Sequence, residues 1–392
     1  MRIFLGAFGD PGHAFPMLAL GEELVARGHD VALQTWRRWR EPAEAAGMTF
    51  APAPEYQVFP TPGRPLKPYE AAVRAAQETR PVVRSFAPQV AVSDILTAAP
   101  ALAAELEGVP VATLVPHLHP HTAPGFPPFA IGARLPRTPA GRALWRATER
   151  LVTIGLEQGR REYNECRHRL GLGPLPWVHT GMSRSLTLVA TLPQLEYPRD
   201  WPAWLRVVGP LIWEPPGEPA APPPGNGPIV LVAPSTSQDP ARRLLRAALT
   251  GLAGEPVRVL AIGSAEDAGA VVSRNAVLAP WLSYSQTMPA CDLVVTHGGH
   301  GTLMHALAAG RPVVICPAGG DMAENAARTD WAGLGVRLPF RFCTPRGIRL
   351  AVQRALRRPE LRTRAERAAR WIAEHDSRGR AAKEIERWVG GE

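Results

Sequence analysis

The sequence predicts an α/β protein of two domains, each built on a parallel sheet. Three observations predict it. The chain has 392 residues, the length of two ordinary domains rather than one. Apolar runs that pass through a polar turn into helical spacing begin at residue 2 and again at residue 229, as buried parallel strands leading into crossover helices do. Between them, residues 215–228 are dense in proline and glycine, with little to pack, and read as a semi-rigid linker.

In the first half, residues 2–8 read as a strand, 9–13 as a turn and 14–27 as a helix stopped by Gly28, with a second strand at 30–35. His13 lies where that first strand hands over to its helix. It reads either as a side chain satisfying the turn backbone or, at the C-terminal tip of a strand, as a group placed for chemistry. The turn is GDPGH, and no acidic residue closes the second strand at Thr35, so the dinucleotide fingerprint is absent. Trp36 and Trp39 line a pocket or cover a helix. Residues 56–68 form a proline-rich loop that includes Tyr56, and 69–86 read as a helix. A strand at 90–93 ends on Asp94, and a helix follows over about 97–107. Asp94 reads, on its own, as an N-cap of that helix. After the strand at 111–115, His117, His119 and His121 alternate. Three such histidines can ligate zinc, but no fourth ligand is apparent. The run continues into APGFPPFA, which favours a mobile aromatic loop, with His117 and Phe126 on it. Residues 144–170 predict a long amphipathic helix, kinked at Gly159, and 186–190 the last strand of this half.

In the second half, the strand at 229–233 runs into Ser235-Thr236-Ser237-Gln238, a hydroxyl-rich turn suited to a phosphate or to capping a helix. The strand at 257–262 ends at Gly263. The most informative stretch is CDLVVTHGGHGTLMHALAAGRPVVICPAGGDMAENA, residues 291–326. It reads as strand, glycine turn, helix, strand, and then a loop carrying Asp321, Glu324 and Asn325. Free N–H groups at a helix N-terminus and its dipole favour an anion, and glycines let a bulky one approach the backbone. His297 at the strand tip can add a ring N–H. The guest these features suit is a phosphate or diphosphate. Helices are expected at 344–356 and 359–375, and an amphipathic one at 379–389.

Composition narrows the function classes. Net charge is +9, carried by arginine: only Lys67 and Lys383 are lysines. No aromatic-and-basic motif accompanies the charge, so a nucleic-acid role is not expected. Four cysteines without C-x-x-C spacing predict a reduced, cytoplasmic protein. Met1 leads directly into a strand, and no apolar run reaches transmembrane length, so neither a signal peptide nor stable membrane insertion is expected.

THGGHGT, ALAAGRPVV and PAGGDMAENA together resemble the nucleotide-sugar signature of the family 1 glycosyltransferases, in the bacterial branch that decorates natural products. The resemblance implies the GT-B fold, two Rossmann-like domains facing a cleft. It implies an acceptor domain over 1–211, a linker over 212–228, a donor domain over 229–375 and a C-terminal helix at 376–392 that crosses back. It makes His13 the general base and Asp94 its partner. It puts the nucleotide and diphosphate on Thr236, Ser237, Gly263, Trp281, Leu282, His297, Gly299, Gly301, Thr302 and His305. Trp281 would stack under the base, or is core. Asp321 would hold sugar hydroxyls, and Met322 stands where the family has glutamine, which suits a deoxy or otherwise less polar sugar. Phe15, Trp36, Tyr56, His117 and Phe126 fall on the acceptor side. His305 stands where plant members carry a glutamate that binds both ribose hydroxyls, which points to dTDP- over UDP-sugars. The implied reaction is inverting transfer from a nucleotide-diphosphate sugar, the co-substrate, to a small, largely apolar hydroxylated acceptor, with no metal and no other cofactor. A nucleotide-sugar epimerase or a catalytically silent nucleotide-sugar-binding protein is the alternative.

Overall fold

The computed structural model describes residues 1–54, 70–120, 123–178, 181–235, 239, 241–269 and 272–391. The sequence expectations for Tyr56, His121, Thr236 and Ser237 lie outside the described residues.

Two parallel sheets carry the chain. The first holds β1 (Arg2–Gly6), β2 (Asp30–Thr35), β3 (Thr49–Pro52), β4 (Val90–Asp94), β5 (Val111–Val115), β6 (Thr187–Val189) and β7 (Leu205–Val207), in the order β3-β2-β1-β4-β5-β6-β7. Around it lie α1 (Pro11–Ala26), α2 (Arg40–Ala45), α3 (Glu70–Phe86), α4 (Ala98–Leu106) and α5 (Pro139–Arg169). The second sheet holds β8 (Ile229–Ala233), β9 (Arg258–Ile262), β10 (Ala276–Ala279), β11 (Leu293–Thr296), β12 (Val313–Ile315) and β13 (Gly335–Arg337), in the order β10-β9-β8-β11-β12-β13. With it come α6 (Arg243–Leu252), α7 (Ala265–Ala268), α8 (Tyr284–Thr287), α9 (His300–Ala308), α10 (Asp321–Ala332), α11 (Pro345–Leu356), α12 (Pro359–Glu374) and α13 (Ser377–Gly390). This is the GT-B architecture that the resemblance implied.

Both sheets reverse their winding beside their first strand, between β1 and β4 and between β8 and β11. Ligands of open α/β sheets bind at the carboxyl ends of strands at such a reversal. Gly6 pairs with Ser93 and Thr296 with Ala233, so Asp94 and His297 each stand one residue beyond a register pair at the reversal.

Several expectations change. The first helix starts at Pro11, because Pro at N1 is pre-organised for it, so His13 sits in its first turn rather than before it. The sheet does not end at residues 186–190: β7 adds an edge. The 31-residue α5 runs through Gly159 without a break. Asp321, Glu324 and Asn325 lie on the first turns of α10, not on a loop, and Glu324 and Asn325 are buried.

The linker packs more than its composition promised. Trp213 is buried against Phe15, ring centroids 4.9 Å apart, and donates its indole N–H to Glu22 on α1 at 2.5 Å. Helix α13 does cross back. Asp376 caps it through Gly379 N–H, 2.9 Å, and Ala381, Ala382 and Ile385 enter the core of the first sheet with Leu18 and Leu20 of α1. Arg27 forks onto Glu386 at 2.5 and 2.9 Å, and these hydrogen bonds, chiefly, hold the Glu386 carboxyl down to about 2.

Candidate active site

Helix α1 starts directly after β1 and presents His13 to the end of β4. Its Nδ1–H donates to Asp94 Oδ1 at 2.9 Å. Asp94 is buried, and its oxygens also accept the N–H groups of Phe8 (3.1 Å) and Leu96 (3.2 Å). Three donors thus fix the carboxylate, and the carboxylate fixes the imidazole tautomer with a lone pair on Nε2. Asp94 is therefore not the side-chain N-cap of the following helix, whose N-cap is Thr97. Burial pulls the His13 pKa down, but the charge and hydrogen bond of Asp94, with Asp321 and Asp10, outweigh it and leave the pKa raised above 6.5.

The other sheet supplies the anion-compatible end. Gly298 has φ +94°, a conformation glycine favours, and a methyl there would lie 2.7 Å from Ile315. A methyl on Gly299, the N-cap of α9, would lie 2.5 Å from His297 Nε2. A methyl on Gly301, in the first turn of the helix, would meet open space. His297 donates Nδ1–H to the Ala233 carbonyl at 3.3 Å, and burial lowers its pKa. The neutral ring therefore offers Nε2 as an acceptor, and only its protonated form has a second N–H for an anion, contrary to the simple donor expected. Thr302 shares a hydrogen bond with the Tyr284 hydroxyl. Gly263 has φ +153° at the end of β9, where a methyl would strike Leu245 at 2.7 Å.

Asp321 joins the two ends. Its charge acts on His13 and His117 from the first sheet and on His297 and His300 from the second. Beside it on α10, Met322 packs against Gly298, whose added methyl would lie 3.1 Å from the Met322 carbonyl oxygen.

The base-side residues divide. Trp281 is 56% exposed, which excludes a core role and leaves its face available for stacking. The Leu282 side chain is buried in the second core, so only its backbone can face a ligand. Next to it Glu214, from the linker, accepts the N–H groups of Tyr284 (2.8 Å) and Ser285 (3.0 Å) and the Ser283 hydroxyl (2.8 Å). His305 is buried, its pKa lowered by that burial. It stands edge-on to Tyr284 at 5.4 Å and donates a ring N–H to the Trp213 carbonyl. One acceptor nitrogen remains on it.

On the acceptor side, His117 lies edge-on to His13, ring centroids 6.0 Å apart, and stacks on Phe129 at 6.1 Å. Its Nδ1–H donates to the Leu118 carbonyl at 2.8 Å, and burial holds it neutral. His119 is turned elsewhere, edge-on to Trp201 at 5.5 Å, so His117 and His119 do not converge on one metal position. Among the described residues no cluster of three metal-ligating side chains occurs. Trp36 packs on Phe8, and Phe8 on His13, which places Trp36 one ring away from the base. Phe15 is taken up between Trp39 and Trp213 and braces the linker instead. Phe126 lies edge-on to Tyr197, and it is Phe129 of the same loop whose ring stacks on His117. Sequence reasoning missed Phe8, Phe129, Glu214 and His300. His300 faces Asn325 Oδ1 and, across the two sheets, the Ala190 carbonyl, both at 3.3 Å, and burial pushes its pKa down to about 4. Its only signal was its place inside the glycine turn.

Residues 243–386 match the family model described as erythromycin biosynthesis protein CIII-like, C-terminal domain. The chain is 29% identical to 4'-demethylrebeccamycin synthase of Lentzea aerocolonigenes, covering 96% of each chain. It is also 29% identical to O-mycaminosyltylonolide 6-deoxyallosyltransferase of Streptomyces fradiae, covering 99% of this chain and 98% of that one. Among solved structures it superimposes on the glycosyltransferase VinC in complex with dTDP with a TM-score of 0.74 at 18% identity, covering 100% of both chains.

Proposed function

This chain belongs to the family 1 glycosyltransferases of GT-B fold, in their bacterial natural-product branch, and from that premise we propose an inverting, metal-independent sugar transfer to a hydroxyl of a small, largely apolar acceptor. The observation that carries the reading is the His13–Asp94 hydrogen bond, 2.9 Å, at the carboxyl end of the first sheet, with Asp321 of α10 acting electrostatically on both His13 and His297.

His13 Nε2 takes the acceptor hydroxyl proton as the oxygen attacks, since a hydroxyl is a weak nucleophile until its proton leaves. Asp94 holds the tautomer and stabilises the imidazolium that forms. The oxygen attacks the anomeric carbon on the face opposite the diphosphate, and the bonding pair of the breaking C–O bond leaves on the diphosphate. The N–H groups at the start of α9 receive that charge. An anion beside His297 favours its protonated form, whose Nε2–H then donates as well. Thr236 and Ser237 enter this proposal from the sequence resemblance alone, since they lie outside the described residues. These donors supply the positive field that a divalent cation supplies in other transferases.

Asp321 accepts hydroxyls of the sugar, while Met322 suits a sugar that lacks one. The 6-deoxyallosyl group in the name of the Streptomyces fradiae relative is a sugar of that kind. Neither epimerase nor silent binder is favoured: the relatives named are a synthase and a transferase, and the dyad is assembled.

The test is a matrix of dTDP- and UDP-sugars against hydroxylated polyketide and aromatic aglycones, with the anomeric configuration of each product read by NMR. Transfer with inverted configuration, unaffected by EDTA, is the expected result. A retained configuration, or nucleotide-sugar epimerisation without an acceptor, would overturn it.

A further inference from the structure

We propose that a buried cluster of Glu196, Arg328 and Glu324 seats the acceptor-side loop on the donor-sugar helix, and so directs the activated sugar to the acceptor rather than to water. The inference rests on the transfer reading above.

Arg328 lies on α10, two turns beyond Asp321, with 2% of its side chain exposed. It donates to Glu196 from the β6–β7 connection of the other sheet, to Glu324 at 2.8 Å on its own helix, and to the His119 carbonyl at 3.4 Å. Its guanidinium stacks 4.7 Å over Tyr197. Glu196 in turn accepts the His119 N–H at 2.7 Å and Arg199 at 3.1 Å. The two glutamates and two arginines are 2–7% exposed and sum to zero charge.

A set like this is a poor way to add stability, because apolar residues of equal volume often serve as well. What it does supply is one fixed arrangement, since a buried charge that slips loses its partner. The elements it fixes are those that must meet. His119 belongs to the loop that carries His117 beside His13, and α10 carries Asp321 and Met322. The same loop is held to the donor half further along. Arg337 donates to the Gly132 carbonyl, Arg134 pairs with Asp330 at 3.2 Å, and a methyl on Gly132 would lie 2.6 Å from the Ala323 carbonyl oxygen. Arg328 is thus a positioning residue.

Loss of the clamp opens a competing path. A water oxygen bonds to the anomeric carbon, the bond to the diphosphate breaks with its pair on the diphosphate, and the water proton passes to His13.

The test variant is Arg328→Met with Glu324→Gln. It removes one charge of each sign and leaves Glu196 paired with Arg199. Two readouts are taken: the ratio of transfer to donor hydrolysis, and amide hydrogen exchange over residues 123–135 with dTDP bound. The expected result is a transfer-to-hydrolysis ratio lowered by about tenfold or more, with faster exchange in that loop and a melting point near wild type. Arg328→Lys, which keeps the charge but loses the fork, should show the same shift to a smaller degree, and serves if the double variant fails to fold. Transfer and hydrolysis falling together at a constant ratio would overturn the clamp, as would loop exchange identical to wild type. Absence of transfer by the wild-type enzyme would overturn the function proposed above, and the exchange measurement alone would then decide the clamp.

Discussion

Asp94→Asn tests the dyad with the smallest change of shape. The carboxylate serves three N–H groups with two oxygens: His13 Nδ1–H and Leu96 N–H on one, Phe8 N–H on the other. An amide has one oxygen and one NH2. With its oxygen toward His13 and Leu96, its NH2 faces the Phe8 N–H; the tautomer survives but the charge that steadies the imidazolium is gone. A hydrogen bond to a charged group contributes about 1.5–3 kcal/mol, so this arrangement costs roughly 10- to 100-fold in rate. With the amide reversed, NH2 faces His13 Nδ1, the proton moves to Nε2, and the base is lost; the cost is then about 10²- to 10⁴-fold. The expected fall in kcat/KM therefore lies between these limits. The pH profile moves as well. His13 works as the neutral ring, so activity rises with pH through its pKa, which the native protein holds above 6.5. Removing Asp94 removes the chief raising influence while burial stays, so the acid limb shifts to lower pH. Initial rates of nucleotide diphosphate release across pH 5–9, with dTDP affinity as the folding control, would show both effects. A folded variant within threefold of wild type, or an unmoved acid limb, refutes the dyad.

Further outcomes are expected. His13→Ala should lose about a hundredfold or more of transfer while dTDP affinity, measured by calorimetry, stays near wild type, because the proposed mechanism puts the base and the nucleotide on different sheets. Transfer rates should be unchanged after EDTA treatment; loss restored by one metal would revive the His117 loop as a metal site. Gly299→Ala should weaken dTDP binding by about 1–3 kcal/mol, since the methyl would press on His297. If His305 reads the ribose, a dTDP-sugar should be preferred over the UDP-sugar of the same hexose by about 1 kcal/mol, because one ring nitrogen of His305 is taken by the Trp213 carbonyl and a single acceptor remains. His305→Glu should shift the kcat/KM ratio toward UDP, and an unchanged ratio would place ribose recognition elsewhere.

What was legible in the sequence followed from burial on both faces. Strands β1, β4, β8 and β11 are largely apolar runs, and Asp94 at the end of β4, His297 just past β11 and His13 in the helix that follows β1 could be placed because a parallel strand must stop at a turn. Strands β3 and β7 were invisible for the opposite reason. They are edge strands of four and three residues, partly exposed, and carry no such run. Helix α10 was misread because its first turn mixes acid, amide and small residues, a composition that suits a loop as well. Its buried polar face makes sense only against Glu196, and Arg328 and Glu196 are 132 residues apart, beyond any local pattern. Phe126 and Phe129 share one proline-rich loop, and nothing in its spacing says which ring meets His117.

The charges around His13 also bear on the order of events. In the resting protein burial and Asp94 oppose each other at the ring, and Asp321 tips the balance further toward the imidazolium. On the proposed mechanism the base gains its proton in the step that frees a diphosphate across the cleft, so the anionic field at the ring is strongest just after transfer. An added anion raises a histidine pKa, and water is kept from the buried side of the ring, where Asp94 stands. On the proposed mechanism a diphosphate still in the cleft therefore favours the protonated ring, and its departure favours the neutral form that the next acceptor needs. On that mechanism the Asp94 carboxylate that makes His13 a stronger base also favours its protonated form after transfer, with Asp321 adding a constant charge in the same direction whether or not the donor site is filled.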